Sequence, residues 1–268
     1  MMAIAEARPD IPTEAPPKFD LNRTALFLDL DGTLAPIEET PDAVGPDPHR
    51  TSVLKLLADA MEGRLAVLSG RSIAEVDRIL EGSVASVAGL HGLERRRADG
   101  SLDSTAPHAA LAEAAAVFDG LAKAQFGLLV ERKGASVALH YRKVPQCGPA
   151  VLEAARRLSR EHGLYLQEGR MVAELRTPGP DKGEALRVFM SEPEFRGGAP
   201  LMIGDDLTDE DAFEAAIAAG GQAILVGPPR PSHARWRLSS PAALLAWLEA
   251  ALPDHRPLPL PAVEETLS

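Results

Sequence analysis

Two carboxylates placed two residues apart, Asp29 and Asp31, follow the apolar run Ala25–Leu28 and precede Gly32. If the run is a strand, its alternation sends both side chains to one face of the sheet, and Gly32 lets the backbone approach a ligand closely. This arrangement suits a phosphate group and a divalent cation, with one carboxylate as nucleophile and the other as general acid and base. A strand that simply ends in an Asp-Gly turn has the same pattern and is the structural alternative.

A second group of acids follows another apolar run, Leu201–Ile203, and begins after Gly204. Helix capping and the helix dipole explain Glu210 and Asp211, the last two acids of this group. They do not explain Asp205 and Asp206 side by side at a strand end, because adjacent carboxylates repel each other unless a cation lies between them. Oxygen ligands of this kind suit Mg²⁺.

Two smaller pieces lie between the acidic groups. Ser69-Gly70-Arg71 ends the apolar run Ala66–Leu68, and Lys182 opens a helical segment after Asp181. Alone, the serine is typical of a turn or cap and the lysine of a solvated first turn. The chain order Asp-x-Asp-Gly-Thr, Ser-Gly-Arg, Lys-Gly, Gly-Asp-Asp is far more specific than any one of its parts.

This order resembles the haloacid-dehalogenase-type phosphatases, and among them most closely the trehalose-6-phosphate phosphatases. The resemblance spans roughly Phe19 to Leu252 and rests on six segments: Leu28–Ile37, Ser69–Arg71, Gly89–Glu94, Glu131–Lys133, Glu174–Arg176 and Gly204–Asp211. One position departs from the expected pattern, because Thr177 stands where a proline is expected and the proline follows at Pro178. The departure affects the expected shape of that loop and leaves the chemistry unchanged.

The resemblance implies a role for each member of the catalytic set. Asp29 is the nucleophile, Asp31 the general acid and base, and Ser69 and Lys182 hold the transferring phosphoryl group. Mg²⁺ is the implied cofactor. Its implied site is formed by five aspartates: Asp29, Asp31 (through its carbonyl), Asp205, Asp206 and Asp209. For Asp206 and Asp209 two roles are possible: they bind the Mg²⁺ through water, or they orient Lys182.

The resemblance also implies residues that bind the substrate: Arg71, His91, Glu131, Lys133, Arg142 and Glu174. Glu131, Lys133 and Glu174 match sugar-binding positions, and Arg142 is a candidate for the phosphate. A solvated hairpin turn is the alternative for Glu131-Arg132-Lys133. Structural roles are equally open for His91 and for Arg71, which could pair with an acid.

The pattern of elements predicts an α/β fold in which a Rossmann-like parallel sheet with helices on both faces carries an inserted α+β cap domain. Strands and helices alternate up to residue 94 and again from Lys182, as in a doubly wound parallel sheet. Arg95–Gly100 is polar and turn-like, and the helix–strand–strand–helix–strand–strand order that follows predicts a small antiparallel sheet with two helices. The expected divisions are a disordered leader (1–18), a core (19–100 and 178–252), the cap (101–177) and a flexible tail (253–268).

The composition restricts the classes of partner that the protein is expected to bind. The chain has 268 residues, a formal net charge of −11 and a pI near 5.2, which argues against nucleic acid or an anionic membrane as a partner. It contains no apolar stretch of about 18 residues, so no membrane span is expected. The single cysteine, Cys147, is compatible with a reducing cytosol and a cytoplasmic protein.

The expected function is therefore Mg²⁺-dependent hydrolysis of trehalose 6-phosphate through an aspartyl-phosphate intermediate, with a functional link to trehalose-6-phosphate synthase. A related phosphatase for sucrose phosphate or mannosylphosphoglycerate, a phosphomutase, and a non-catalytic sugar-phosphate sensor are the alternatives. The oligomeric state is open, with a monomer among the options.

Overall fold

The computed structural model describes residues 11–38, 40–169 and 171–253, without the side chains of Pro41 and Lys133. The first ten residues of the predicted leader and residues 254–268 of the predicted tail lie outside the described residues. Within the described part of the leader, the carbonyl of Glu14 accepts a hydrogen bond from the amide of Arg237.

Twelve strands and seven α-helices make up the described chain. The strands are β1 (Thr24–Leu28), β2 (Leu65–Leu68), β3 (Ser86–Gly89), β4 (Glu94–Arg96), β5 (Leu102–Ser104), β6 (Leu129–Lys133), β7 (Ser136–His140), β8 (Tyr165–Gly169), β9 (Val172–Arg176), β10 (Ala199–Gly204), β11 (Gln222–Val226) and β12 (Trp236–Leu238). The helices are α1 (Pro48–Ala60), α2 (Ile73–Leu80), α3 (Leu111–Ala124), α4 (Gly148–His162), α5 (Lys182–Met190), α6 (Glu210–Ala218) and α7 (Pro241–Glu249).

Eight strands form the core sheet in the order β12-β11-β10-β1-β2-β3-β4-β5. The first six are parallel, and β4 and β5 add an antiparallel hairpin at one edge. From β1 the chain builds the sheet first towards β3 and later, from β10, in the opposite direction. The ends of β1 and β10 therefore form the switch point at which open α/β sheets bind their ligands.

Helices cover both faces of this sheet. On β1, Leu26 and Leu28 pack with α1, α2 and α7 on one face, while Phe27 packs against Phe189 of α5 and Phe195 on the other. A strand that is buried on both faces needs a continuous apolar run, which is what the sequence of β1 provides. The capping box of α2 formed by Ser72 and Glu75 is present as expected from the sequence.

The second sheet has four antiparallel strands in the order β6-β7-β9-β8. One face packs on α3 and α4 around Phe118, Leu139 and Leu175. The opposite face has a cross-strand row in which Glu131, Ala138, Glu174 and Gln167 stand in register. Because side chains alternate between faces, this row cannot contribute to the apolar core and is available for polar contacts.

The predicted fold class, a parallel-sheet core with helices on both faces and an inserted α+β cap, is confirmed. Three strands of three residues each, β4, β5 and β12, were not predicted. The expectation that Arg95–Gly100 is turn-like was wrong for Arg95 and Arg96, which lie in β4 and pair with β3 and β5 at the polar edge of the sheet. With β5 the core sheet extends through Ser104, and the division of the chain at residue 100 stays a prediction. Within the described residues, no helix is both long and apolar enough to cross a bilayer.

Candidate active site at the switch point of the core sheet

The parallel pairing of β1 and β10 brings the two acidic segments together. Leu28 stands opposite Ile203, and the amide of Asp29 donates to the carbonyl of Ile203 over 2.9 Å. Carboxylate oxygens of Asp29, Asp205 and Asp209 all lie within 4.8 Å of one another. The structure thus gathers three of the five predicted metal-site aspartates into one group.

Gly32 makes room for this group. Its φ of +85° lies in the left-handed region, and a Cβ at this position would overlap with Oδ2 of Asp205. A glycine is therefore required both by the backbone conformation and by the close approach of the carboxylate. The segment that contains Asp29 and Gly32 therefore packs directly against the segment that contains Asp205.

Lys182 lies at the centre of the acidic group. Its Nζ donates to Oδ1 of Asp29 over 2.7 Å and to Oδ1 of Asp209 over 2.6 Å, and the lysine is 3% exposed. It is the first residue of α5, which Asp181 caps, and Gly183 lets α5 pack closely against Asp211 of α6. Close packing of α5 and α6 therefore carries the ammonium group into the site.

Burial and charge set the protonation of these groups. Burial alone would lower the pKa of Lys182, but the charges of Asp209 and Asp29 outweigh it and raise that pKa. Burial raises the pKa of Asp29 well above its ordinary value, against the opposing charge of Lys182. Burial, with the charges of Asp209 and Asp206, raises the pKa of Asp205 to about 7. Three carboxyl groups, those of Asp29, Asp205 and Asp209, therefore share a single buried ammonium group.

The donor set fits a hard divalent cation. Oδ1 of Asp205 is buried and has no hydrogen-bond partner among the described residues. Such an unpartnered acceptor, beside the carboxylate of Asp29, is the kind of oxygen ligand that divalent cations take. A bound cation would also reverse the rise in the pKa of Asp205, because it stabilises the ionised form.

Asp209 and Asp206 have different surroundings. Asp209 is fully buried, and its Oδ2 accepts the amide hydrogens of Asp205 and Asp206 over 2.9 and 3.0 Å. Asp206 is exposed, and its Oδ1 accepts the amide hydrogen of Leu207 at the start of a single 3₁₀ turn. Asp209 thus orients Lys182 and the loop, while Asp206 caps the turn that follows.

Ser69 and Arg71 follow β2, the other neighbour of β1. Oγ of Ser69 is buried and accepts the amide hydrogen of Arg71 over 3.1 Å. The guanidinium of Arg71 donates to both carboxylate oxygens of Asp31, from Nε to Oδ2 over 2.7 Å and from Nη2 to Oδ1 over 2.8 Å. Burial would lower the pKa of Arg71, but its hydrogen bonds and charge contact with Asp31, and the charges of Glu75 and Glu131, raise it.

Three of the other sequence-predicted substrate residues have defined contacts: His91, Glu131 and Glu174. His91 has a φ of +58°, its amide donates to the carbonyl of Ser69, and its ring leaves no room for a Cβ at Gly70. Oε1 of Glu174 accepts the hydroxyl hydrogen of Ser136 over 2.5 Å, and Glu131 contacts His140 over 2.8 Å.

Two basic residues of that set are less defined by their surroundings. Arg142 is exposed and lies after the end of β7. Lys133 ends β6 opposite Ser136, and its side chain lies outside the described residues. The structure therefore gathers Glu131 and Glu174 on one row of the second sheet and places Arg142 beyond the strand.

A cavity of about 220 Å³ lies between the second sheet and the core. Lys182 and His91 line it on the core side, and Tyr165, Gln167 and Arg176 line it from the second sheet. The guanidinium carbon of Arg176 lies 4.2 Å from the centre of the Tyr165 ring, a cation–π contact. The sequence analysis did not select these last three residues, although the period-2 pattern puts all of them on the polar face of their strands.

The fold, the site and the sequence similarity together define a class, the phosphatases. A phosphatase of the haloalkanoate (HAD) enzyme superfamily from Bacteroides thetaiotaomicron has the same fold, with a TM-score of 0.59, 16% identity, and coverage of 87% of this chain and 95% of its own. The sequence profile named trehalose-phosphatase matches residues 27–242.

A trehalose-6-phosphate phosphatase from Escherichia coli K12 is 39% identical over 227 residues, 84% of this chain and 85% of the relative. The crystal structure of a trehalose-6-phosphate phosphatase related protein has a TM-score of 0.69 and 27% identity, and the match covers 84% of this chain and 95% of that one. The chain belongs to the trehalose-phosphatase family and is a phosphatase.

Proposed function

We propose that the protein hydrolyses trehalose 6-phosphate to trehalose and phosphate, with Mg²⁺ as cofactor and a phosphoryl group carried by Asp29. One observation carries the proposal. A buried lysine ammonium contacts Asp29 directly beside an acidic group that is suited to a cation, and a polar sheet face stands over both. A phosphate ester needs all three features: cationic donors, a nucleophile and a surface for the alcohol that leaves.

Asp29 acts as the nucleophile. One of its carboxylate oxygens forms a bond to phosphorus while the bond between phosphorus and the sugar oxygen breaks. Asp31 gives a proton to that sugar oxygen and later takes one from the water that attacks the phosphoryl group on Asp29. The fork of Arg71 fixes the position of the Asp31 carboxyl by hydrogen bonds to both of its oxygens.

Ser69 and Lys182 hold the phosphoryl oxygens. In a site that excludes water, a preorganised donor of this kind contributes about 3 kcal/mol to transition-state stabilisation. Asp209 orients Lys182, since it accepts a hydrogen bond from Nζ and is itself fully buried. The ammonium group is thereby fixed before the substrate arrives.

Asp29, Asp205 and the carbonyl of Asp31 would hold Mg²⁺. The cation would neutralise the non-bridging phosphate oxygens and so let a carboxylate approach a dianion. The unpartnered Oδ1 of Asp205 supports this assignment. For Asp206, a contact through water remains the proposal, because its own carboxylate caps the next turn.

The polar face of the second sheet recognises the disaccharide. Glu131, Glu174 and Gln167 stand on one row that can accept and donate hydrogen bonds to sugar hydroxyls. Lys133 and Arg142 are proposed to contribute cationic donors, and His91 to approach the substrate from the core. The ring of Tyr165 offers an apolar surface at the cavity wall.

Phosphate release measured with trehalose 6-phosphate, sucrose 6-phosphate and glucose 6-phosphate, with Mg²⁺ and with EDTA, tests the proposal. We expect metal-dependent release from trehalose 6-phosphate alone and no release by Asp29→Asn. Release from another sugar phosphate would retain the mechanism and refute the assignment of Glu131, Lys133 and Glu174. Absence of release from all three would favour a sugar-phosphate sensor.

We further propose a cytoplasmic location, supported by the single Cys147. A functional link to a trehalose-6-phosphate synthase, the class of enzyme that would supply the substrate, follows from the same proposal.

A further inference from the structure

Arg230 lies in the loop between β11 and β12 and donates hydrogen bonds to the segment that follows β10, which contains Asp205 and Asp206. Its Nη2 donates to the carbonyl of Asp206 over 2.7 Å and its Nε to the carbonyl of Asp205 over 3.3 Å. Its Nη1 donates to the carbonyl of Pro231 over 3.0 Å and contacts the carboxylate of Glu210. A single guanidinium therefore ties together two consecutive peptide carbonyls and a carboxylate.

Glu210 fixes the position of that guanidinium. Besides Arg230, its carboxylate accepts the amide hydrogen of His233 over 2.9 Å and lies 3.0 Å from Nδ1 of the same histidine. Although burial acts to raise it, the pKa of Glu210 is lowered by the hydrogen bonds from His233 and Arg230. Glu210 is thus held as an anion at the first turn of α6, where the helix dipole also favours it.

The same segment is held from its other side by Asp209. The amide hydrogens of Asp205 and Asp206 point to Oδ2 of Asp209, while their carbonyls point to Arg230. The N–H and C=O groups of both residues are therefore satisfied by side chains, in a stretch that belongs to neither β10 nor α6. This leaves the carboxylate of Asp205 as the group that faces Asp29 and Gly32.

We infer that Arg230 is a positioning residue for the cation site, which it serves by fixing the backbone that aims the Asp205 carboxylate. The inference rests on the proposed function, since it concerns the cation that the proposed reaction uses. Arg230 itself touches neither of the carboxylates assigned to the cation, Asp29 and Asp205, in any contact recorded among the described residues.

Arginine suits this task for a geometric reason. Its planar fork presents several N–H groups at fixed angles, so two carbonyls and a carboxylate can be held at once, whereas a lysine ammonium acts as a point charge. The charge of Arg230 acts in the opposite sense, because a nearby positive charge weakens the binding of a cation. When the side chain is replaced by a neutral one, the lost geometry should therefore weaken cation binding, whereas the lost charge should strengthen it.

Binding of Mn²⁺, followed by electron paramagnetic resonance in the intact protein, separates the two effects. We expect Arg230→Met and Arg230→Lys each to bind Mn²⁺ about tenfold more weakly than the wild type, as is typical when a group that orients a metal ligand is lost. Arg235, an exposed arginine stacked on Trp236 in the same loop, provides the matched control Arg235→Met, whose Mn²⁺ affinity should equal that of the wild type.

A kinetic readout accompanies the affinity. In the Arg230 variants the Mg²⁺ concentration that gives half-maximal phosphate release should rise about tenfold, while the rate at saturating Mg²⁺ stays within about threefold. A general loss of folding would instead lower the melting temperature and the saturated rate together. Arg230→Lys keeps the charge and most of the stem, and it decides the question if Arg230→Met unfolds.

The outcomes are distinct. Unchanged or tighter Mn²⁺ binding by both Arg230 variants would overturn the positioning role, because the Asp205 carboxylate would then be held in place without the guanidinium. Two results would overturn the proposed cation site and the role of Arg230 with it. One is that the wild type does not bind Mn²⁺, and the other is that Asp205→Asn binds Mn²⁺ as tightly as the wild type. Weaker binding by Arg230→Met alone, with Arg230→Lys like the wild type, would refute the role of the fork, because a single ammonium group would then be sufficient to hold the two carbonyls.

Discussion

Asp205 should destabilise the protein when no cation is bound. Its carboxyl has a pKa of about 7 in the folded protein against 3.8 as an ordinary side chain. Because the folded state binds this proton more tightly, the associated stability is fully present below about pH 4 and is lost as the pH rises through about 7. The difference corresponds to about 4 kcal/mol between the two protonation states.

Replacement of this carboxylate with a neutral amide removes that cost. In the presence of EDTA, Asp205→Asn should raise the free energy of unfolding by about 4 kcal/mol at pH 8 and by about 2 kcal/mol at pH 5. At about 2–4 °C per kcal/mol, the melting temperature at pH 8 should rise by about 8–16 °C. Thermal and urea unfolding, followed by circular dichroism at both pH values, measure the effect.

The matched control is Asp206→Asn, one residue away. Asp206 is exposed and caps a turn, and asparagine is an equally good cap. Its replacement removes only one of the charges that raise the pKa of Asp205, so the gain in stability at pH 8 should be much smaller than that of Asp205→Asn. Added Mg²⁺ should stabilise the wild type and leave Asp205→Asn unaffected, because only the folded, charged site binds the cation. An Asp205→Asn protein with no gain in stability at pH 8, or with the same gain at both pH values, would refute the reasoning.

Three further predictions follow from the contacts. Lys182→Ala leaves two buried carboxylates without their partner and should lower the free energy of unfolding by about 3–5 kcal/mol in urea titrations, with loss of turnover; wild-type stability would contradict the pairing. Gly32→Ala places a Cβ onto the Asp205 carboxylate and should raise the Mg²⁺ requirement for phosphate release, which an unchanged Mg²⁺ titration would disprove. Tyr165→Ala should lower kcat/KM for trehalose 6-phosphate several-fold and leave the hydrolysis of p-nitrophenyl phosphate unchanged; equal losses on both substrates would argue against a role in sugar recognition.

The sequence pattern was sufficient to predict the parallel core. Continuous apolar runs identify strands that are buried on both faces, and carboxylates at the ends of parallel strands must lie at the same edge of the sheet. That the strands before Asp29 and Asp205 are neighbours followed from the family resemblance, because the apolar pattern does not give the order of strands in the sheet. Lys182 followed only from the family resemblance, since its position depends on how α5 packs against α6.

Contacts that depend on register could not be predicted. The strands β8 and β9 were expected, but the pairing of Tyr165 with Arg176 is set by their register, which a loop without a defined turn type leaves open. The grip of Arg71 on Asp31 likewise depends on the relative positions of two neighbouring strand ends. Arg230 lies 25 residues after the carbonyl of Asp205 that it holds, in a loop whose sequence has no pattern that would indicate such a contact.

The central claim is that Asp29 carries the phosphoryl group. The most direct test mixes Asp31→Asn with p-nitrophenyl phosphate and Mg²⁺, quenches with acid and locates the modification by tandem mass spectrometry. The leaving group of this substrate needs no acid, so Asp29 should be phosphorylated and, without Asp31 to activate water, should stay so. We expect a hydroxylamine-sensitive phosphoryl group on Asp29. A phosphoryl group on another residue, or wild-type turnover by Asp29→Asn, would contradict it.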